Sequence, residues 1–462
     1  MIRSASLVAE PAEARAFLEA HPQIAFVEIV FTGMNGVSRG KRLRRHELLS
    51  VYELGRFMPS STLISDITGR DVEETRLVWE TGDADVIARP VPGTLVPAPW
   101  LGPDVAQVLV SLYELDGAPS ELDPRHVLRR VVDRFHADGL VPVVACELEY
   151  YLIDCQRTRR GGIRLAPVRS TGAPPSACNA YGLREIEDVA PFLRELWAAS
   201  DAQSIPLEGA ISEHSPGQLE LTLRHRPDAL RAADDAVMYK RAAKGVALRH
   251  GCEATFMAKP FAAHAGSGMH LHVSVNDEGG NNIFASPMSS LAAPLRFAIG
   301  GMQELLPESF ALLAPHANSY RRFKAHSFAP TTAGWGLNNR TVPLRVPAGP
   351  DASRHIEHRT AGADANPYLA LATILAGAHR GLAAKLDPGP PVIGNGYVSA
   401  PRVNPLPQNW FSAVEQLERA VLLREYLGTR FVDAYTQIKR AEQNRFYEVV
   451  TSLDYDWYLQ AV

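Results

Sequence analysis

Cysteine is scarce in this chain. Of 462 residues only four are cysteine, Cys146, Cys155, Cys178 and Cys252, and no two stand in a CxxC spacing. That excludes a disulfide framework and a thiolate zinc site, and it reads as buried thiols in a reducing cytosol. Long apolar runs are missing too, with no stretch near the roughly 20 residues that a bilayer span needs. Neither sign of charge dominates, the net being -4, and no basic block interleaved with aromatics occurs. Nucleic acid is therefore not an expected partner. The leading MIRSASLVAEPAEARAF has no signal-peptide apolar core, so a cytoplasmic protein is expected. What is present, 46% apolar and 21% charged residues, is the composition of a globular protein of two or more domains.

Along the chain the signals mix helix and strand without a strict βαβ repeat, an α+β organisation. Residues 11–21 suit a short helix. Residues 25–32 alternate as a strand, turn through Gly33 and Asn35-Gly36, and return toward 40–43 as a hairpin in a small sheet. Residues 55–68 read as a loop, and Pro90, Pro92, Pro97 and Pro99 keep 88–100 extended. A boundary near 110 leaves a small β-rich domain, 1–110, and a large one, 111–462. Asp123-Pro124 opens a helix that Gly139 stops. A strand is expected at 141–152 and a Pro-Gly hairpin at 213–223. Helices are expected at 188–200, 226–250, 291–305, 366–384 and within 409–450, with an irregular arginine-rich segment at 318–362.

The densest chemistry lies at 264–275. Gly266 and Gly268 let backbone approach a ligand, and beyond them Met269, Leu271 and Val273 alternate with His270, His272 and Ser274. A period of two puts the polar three on one face. Such a face either stands in water or serves a metal and a phosphate-bearing ligand.

The acids favour the second reading. Glu147 and Glu149, in an otherwise apolar strand, share a face, and two unpaired carboxylates there cost several kcal/mol. If Pro216-Gly217 is a two-residue turn, Glu213 opposes Glu220, again like charge on like. Glu357 adds a fifth acid, with Arg359 on the same face. Five glutamates with His270 suit two magnesium or manganese ions, because the donors are mostly hard oxygens. With Arg322, Arg340, Arg345 and Arg359 at hand, the combination points to phosphoryl transfer.

Taken together these segments resemble the glutamine synthetase family, type I. The carriers are GluLeuGlu at 147–149, Glu213 with ProGlyGlnXaaGlu at 216–220, PheMetAlaLysProPhe at 256–261 and GlySerGlyMetHisXaaHis at 266–272. They continue with AsnSerTyrArgArg at 318–322, AsnArgXaaXaaXaaXaaArg at 339–345, IleGluXaaArg at 356–359 and AlaAsnProTyrLeu at 365–369. The resemblance implies a β-grasp-like N-terminal domain, a catalytic domain on a curved antiparallel sheet, and a homo-oligomer of stacked rings, a dodecamer, with active sites between neighbours. It implies Glu149, Glu213 and Glu220 on one ion, and Glu147, His270 and Glu357 on the other. It implies ATP at Glu208, His272, Ser274 and Arg345, and glutamate at Gly266, Arg322, Arg340 and Arg359, with Arg340, Arg345 and Arg359 serving the chemistry. ATP would convert the glutamate side chain to an acyl phosphate that an amine displaces.

The chain also departs from that family. Ammonia-using members carry a flap glutamate where Phe328 stands, and an N-terminal aspartate where Met58 stands, with Asp66 downstream as another alignment. Those acids bind ammonium and take its proton, so Phe328 is expected to meet a carbon-bearing amine instead. Ala265 replaces an asparagine beside the glutamate site, leaving its backbone contact. Asn404 replaces the tyrosine that adenylylation modifies. The pattern resembles the γ-glutamyl-polyamine and γ-glutamyl-ethanolamide synthetases. Two other readings stand beside it: an ammonia-using enzyme, and a non-catalytic structural or sensing relative.

Overall fold

The computed structural model describes residues 7–159, 161–177, 179–399 and 406–462. Two sheets organise them. In the first, Phe26–Thr32 pairs antiparallel with Ser38–Arg44 on one side and parallel with Val105–Tyr113 on the other. Asp85–Pro90 and Arg56–Pro59 follow outward from that last strand. Val105–Tyr113 is buried along its whole length, and residue 110 falls inside it.

The second sheet carries the acids. Its order is Trp335–Leu337, Leu344–Val346, Ile356–His358, Met269–Asn276, Val141–Asp154, Gln218–Leu223 and Leu207–Ser212, with Cys252–Thr255 beside the far end of Val141–Asp154. All neighbours are antiparallel except the edge pair Trp335–Leu337 and Leu344–Val346. One face is apolar and closed: Cys146, Leu148, Tyr150, Met269, Leu271 and Val273 are each at most 1% exposed. The helices Pro124–Ala137 and Ala229–Arg249 pack against Val141–Asp154, and Pro367–Ala384 packs against both of them. The face away from the helices keeps the polar side chains.

Local chemistry explains the elements. The Asp123 carboxylate accepts the Arg125 amide at 2.8 Å, Pro124 fills the first turn, and Gly139 at φ +71° follows the end of that helix. Ala293–Leu313 runs past the expected end at 305 and straight through Pro307. The burial of Leu306, Phe310, Leu312 and Leu313 outweighs a proline cost of about 3 kcal/mol. The segment 55–68 is not a loop throughout: it holds Arg56–Pro59 and a short helix, Ser61–Ile64. Nor is the irregular 318–362 segment without strands, since three short ones form the sheet's edge.

Cys146 and Cys252 are buried, but Cys155 is exposed, because Val141–Asp154 ends just before it. Cys178 and Asn404 lie outside the described residues. No described helix is long and apolar enough to cross a membrane.

Candidate active site

The polar face of the second sheet is built in transverse rows. In the first, Arg345 pairs with Glu357, which pairs with His272. In the second, His270 pairs with Glu147. In the third, Glu149 pairs with Glu220. Registers fixed by three strands thus bring together side chains up to 210 residues apart in sequence (Glu147 to Glu357). His270 is central: Nδ1 lies 3.5 Å from Glu147 and 3.9 Å from Glu357, and Nε2 lies 3.7 Å from Glu149.

Glu213 reaches the cluster by a different route from the one expected. The Pro-Gly turn does not pass directly into the strand pairing, which is slipped by two residues: Ser212 opposes Leu219 and the Glu213 amide bonds the Gln218 carbonyl at 3.0 Å. Pro216 and Gly217 are the inner residues of a turn closed by the Gln218 amide on Ser215, Gly217 at φ +71°. Glu220 therefore opposes Ile211 on that side, and its like-charged cross-strand partner is Glu149 on the other. Glu213 still arrives, because Glu149, Glu213 and Glu220 offer oxygens within 4.8 Å of one another.

Three such groups overlap: Glu149–Glu213–Glu220, Glu147–Glu220–His270 and Glu147–His272–Glu357. The donors fit divalent magnesium or manganese. The electrostatics fit as well. Burial, with Glu147, Glu149 and Glu213 adding repulsion, pushes the Glu220 carboxyl up to about 12. Burial and Glu149 also raise Glu213. A cation between them removes that penalty. Glu357 is the contrast: burial raises it, but Arg359 and the neighbouring cations hold it near about 2.

The arginines differ in commitment. Arg345 donates to Glu357 at 2.6 Å and to Asn338 at 2.8 Å, and Arg359 donates to the other Glu357 oxygen. The Nε atoms of both are buried without a partner. Arg340 is exposed on the rim of a cavity of about 440 Å³, which Glu149, Gly266, Phe328 and Arg359 also line. Arg322 is only 5% exposed and lies beneath the glycines, donating to the carbonyls of Thr360 at 2.7 Å and Arg359 at 3.1 Å. A Cβ on Gly266 would stand 2.6 Å from Arg322 Cγ, and one on Gly268 2.7 Å from its Nη2. These glycines make room for an arginine as well as for any ligand.

Glu208 does not join the cluster. It sits where the outer strand's register slips, between Leu207 and Ala210, and pairs with Arg224 at 2.9 Å. Ser274 shares the face, one pleat beyond His272 and opposite Val143. Phe328 is 53% exposed at φ +56°. Met58 faces inward with the core, and it is Phe57 that points out. Asp66 accepts the amides of Thr68 at 2.9 Å and Arg70 at 2.8 Å and pairs with Arg445. It is committed to its own turn. The Ala265 backbone is likewise used inside the protein: its amide donates to Ser215 at 2.7 Å and its carbonyl accepts from Tyr151 at 2.8 Å.

Two residues to which motif reading gave no role also meet the cluster. His355 Nε2 lies 3.1 Å from His272 Nδ1, and Gln218 Nε2 donates to the Gly266 carbonyl at 3.0 Å. For Gln218 the signal was its place in an apolar strand next to Glu220. His355 stands just before the IleGluXaaArg motif at 356–359, where no spacing marks it out.

Fold and face together present a cluster of acids and histidines, walled by arginines, that suits divalent cations and the phosphates they would neutralise. Comparison gives the family. The profile for the glutamine synthetase catalytic domain matches residues 121–458. The chain is 38% identical to gamma-glutamylputrescine synthetase PuuA of Escherichia coli (strain K12), over 97% of this chain and 94% of that one. It is 31% identical to glutamate–isopropylamine ligase of Pseudomonas sp, over 97% of each. It is 32% identical to gamma-glutamylethanolamide synthetase GlnA4 of Streptomyces coelicolor, over 96% and 93%. A solved GmaS–ADP complex superposes with a TM-score of 0.84 at 27% identity, covering 97% of this chain and 99% of that one. The chain belongs to the glutamine synthetase family and is an ATP-dependent ligase.

Proposed function

We propose that this enzyme joins the γ-carboxylate of glutamate to a short primary amine with an uncharged tail, ethanolamine-like, through γ-glutamyl phosphate. The observation that carries the reading is Phe328 on the rim of a cavity that also holds Glu149, Gly266, Arg340 and Arg359. Glu149, Glu213 and Glu220 take one divalent cation, and Glu147, His270 and Glu357 the other. When bound, those cations neutralise phosphate charge and polarise the group in transfer.

The protein's own groups do the rest. Arg340 and Arg359, at the rim and wall of the cavity, orient the glutamate carboxylates, with Gly266 and Arg322 shaping the floor. Arg345, beside Glu357, holds a phosphate with its remaining donors, and Ser274, His272 and Glu208 complete the ATP side. A carboxylate is a poor acyl electrophile, so its oxygen attacks the γ-phosphorus of ATP and ADP leaves. The amine nitrogen then attacks the acyl carbon and phosphate leaves.

A free alkylamine has a pKa near that of lysine, about 10.4, and arrives protonated. An apolar entrance at Phe328 favours the neutral, nucleophilic form and gives contact to carbon atoms that ammonia lacks. The E. coli relative is named for a putrescine product, and a diamine's far ammonium needs a carboxylate. Among the described residues lining this cavity the only carboxylates are those of the cation set, and Lys259 and His326 stand nearer the mouth. That supports the uncharged tail. The enzyme is further proposed to be cytoplasmic and homo-oligomeric, a dodecamer.

The test is phosphate release with glutamate, ATP and equal concentrations of ammonium, ethanolamine or putrescine. Ethanolamine should be the best substrate. Ammonium as the best substrate ends the amine-ligase reading, whereas putrescine as the best ends only the uncharged-tail step.

A further inference from the structure

His272 and His355 form a short relay whose proton order is set from one end. His355 Nδ1 lies 2.8 Å from the Ser353 carbonyl oxygen, which can only accept. That nitrogen therefore carries the hydrogen, and in neutral His355 the other ring nitrogen, Nε2, presents a lone pair. It faces His272 Nδ1 at 3.1 Å, so His272 donates there. His272 Nε2 is then left with its lone pair aimed at the Glu147 carboxylate, 3.1 Å away. A lone pair facing a carboxylate at that distance is repulsive unless a proton or a metal cation lies between them, and a metal cation is the one that Glu357 can share. His272 also belongs to the donor group that includes Glu147 and Glu357.

We propose that His355 is a positioning residue: by accepting the Nδ1 hydrogen it fixes the ring and tautomer of His272, so that Nε2 serves the cation at Glu147. A ligating histidine commonly donates its other ring N–H to such a partner, which sets the tautomer and raises the ligand's basicity. A histidine is an unusual choice for the partner, because it must itself be oriented, and the Ser353 carbonyl does that. His272 in this tautomer has no Nε2 hydrogen to offer a phosphate. It meets the nucleotide through a cation that the phosphates share, which is a different role from a direct donor to ATP.

The inference rests on the cation-binding reading of the cleft, so the test reads cation binding without substrate. Free Mn²⁺ is followed by electron paramagnetic resonance in titrations of the full-length enzyme and its variants. His355→Ala should weaken the tighter-held Mn²⁺ by about 10- to 100-fold, the usual cost of losing such a partner. His355→Gln, whose side-chain oxygen can accept the Nδ1 hydrogen, should recover most of that loss. His355→Arg, which can only donate, should not. In a His272→Ala background the His355→Ala change should have no further effect. Variants at His355 that bind Mn²⁺ like wild type overturn the proposal. So does equal weakening in Ala, Gln and Arg, or a loss that persists without His272, because each of those marks a merely structural residue. A wild-type protein that binds no Mn²⁺ overturns the cation reading itself and is a separate result.

Discussion

Glu220 shows most sharply what a single side chain costs here. It is 8% exposed, faces Glu149 across the ladder, and is driven by burial and three acid neighbours far above an ordinary carboxylate. Nothing in the packing alone favours an acid there, and the divalent cation proposed for Glu149, Glu213 and Glu220 would supply the reason. Glu147→Ala and Glu220→Ala are each expected to abolish ATP turnover, because an under-coordinated cation beside phosphate cannot neutralise it. Both variants should still fold: truncating Glu220 relieves repulsion among the acids, and truncating Glu147 leaves the apolar face of its strand unchanged. The metal-free melting temperature of Glu220→Ala should match or exceed that of wild type, and the rise that Mn²⁺ is expected to give wild type should be absent from both variants. Turnover near the wild-type rate in either variant, with an unchanged metal requirement, would sink the assignment. At this scale the sequence was readable wherever a period of two decides which face a residue takes, as for Glu147, Glu149, His270 and His272. It was unreadable where a distant group claims the partner. Ser215 and Tyr151 occupy the Ala265 backbone, and Arg445 occupies Asp66.

Among elements, the glycine segment before Met269–Asn276 is the most constrained. It threads between the cavity and the buried Arg322, so Gly266→Ala must push Arg322 Cγ or the Ala258 carbonyl, 2.6 and 2.8 Å from the new Cβ. Overpacking of this sort costs about 1–3 kcal/mol, and displaced Arg322 and Arg359 should raise the KM for glutamate more than that for ATP. Equal changes in the two constants would argue against a glutamate site here. The helix Ala229–Arg249 supplies a second test. Lys240 donates to the Ala363 carbonyl at 2.8 Å, and burial, with Lys244 adding repulsion, draws its ammonium down to about 7. Unfolded lysine titrates near about 10.4, so between these values the unfolded chain binds a proton that the folded one does not. Stability contributed by this group therefore rises with pH from about 7 to about 10.4. Lys240→Met should flatten that rise, checked by urea midpoints at several pH values, and an unchanged slope would refute it. Helices and long strands were legible here because capping, proline and periodicity are local. The 213–220 register was not, because a two-residue slip in the turn depends on how Gln218 bonds across it.

For the whole molecule, the elements around the first sheet are fastened to elements that fall between or after the strands of the second. Asp66 pairs with Arg445, Glu28 pairs with Arg241, the Ile67 amide donates to Glu442 at 2.8 Å, and Asn366 donates to the Gly33 carbonyl at 3.1 Å. Those contacts join residues hundreds of positions apart, and no sequence pattern foretold them. In the proposed homo-oligomer a sheet held this way would meet a neighbour without rearranging, with Phe57 already pointing outward. The opposite end of the chain is more exposed still. Val449, Tyr455, Trp457 and Leu459 are each between 58% and 70% accessible on the short helix Ser452–Tyr458 and its flanks. So many exposed large apolar side chains in one short segment suit an interaction site, and a second copy of the chain is the partner that the homo-oligomer proposal requires. Sedimentation at assay concentration should therefore show a large, closed assembly. Removing residues 450–462, or replacing Trp457 with Asp, should shift it to smaller species without unfolding the subunit, because these side chains contribute nothing to its own core. A fully active monomer would refute assembly outright. Variants that keep the wild-type size would leave the assembly standing and clear the C-terminal helix of any part in it.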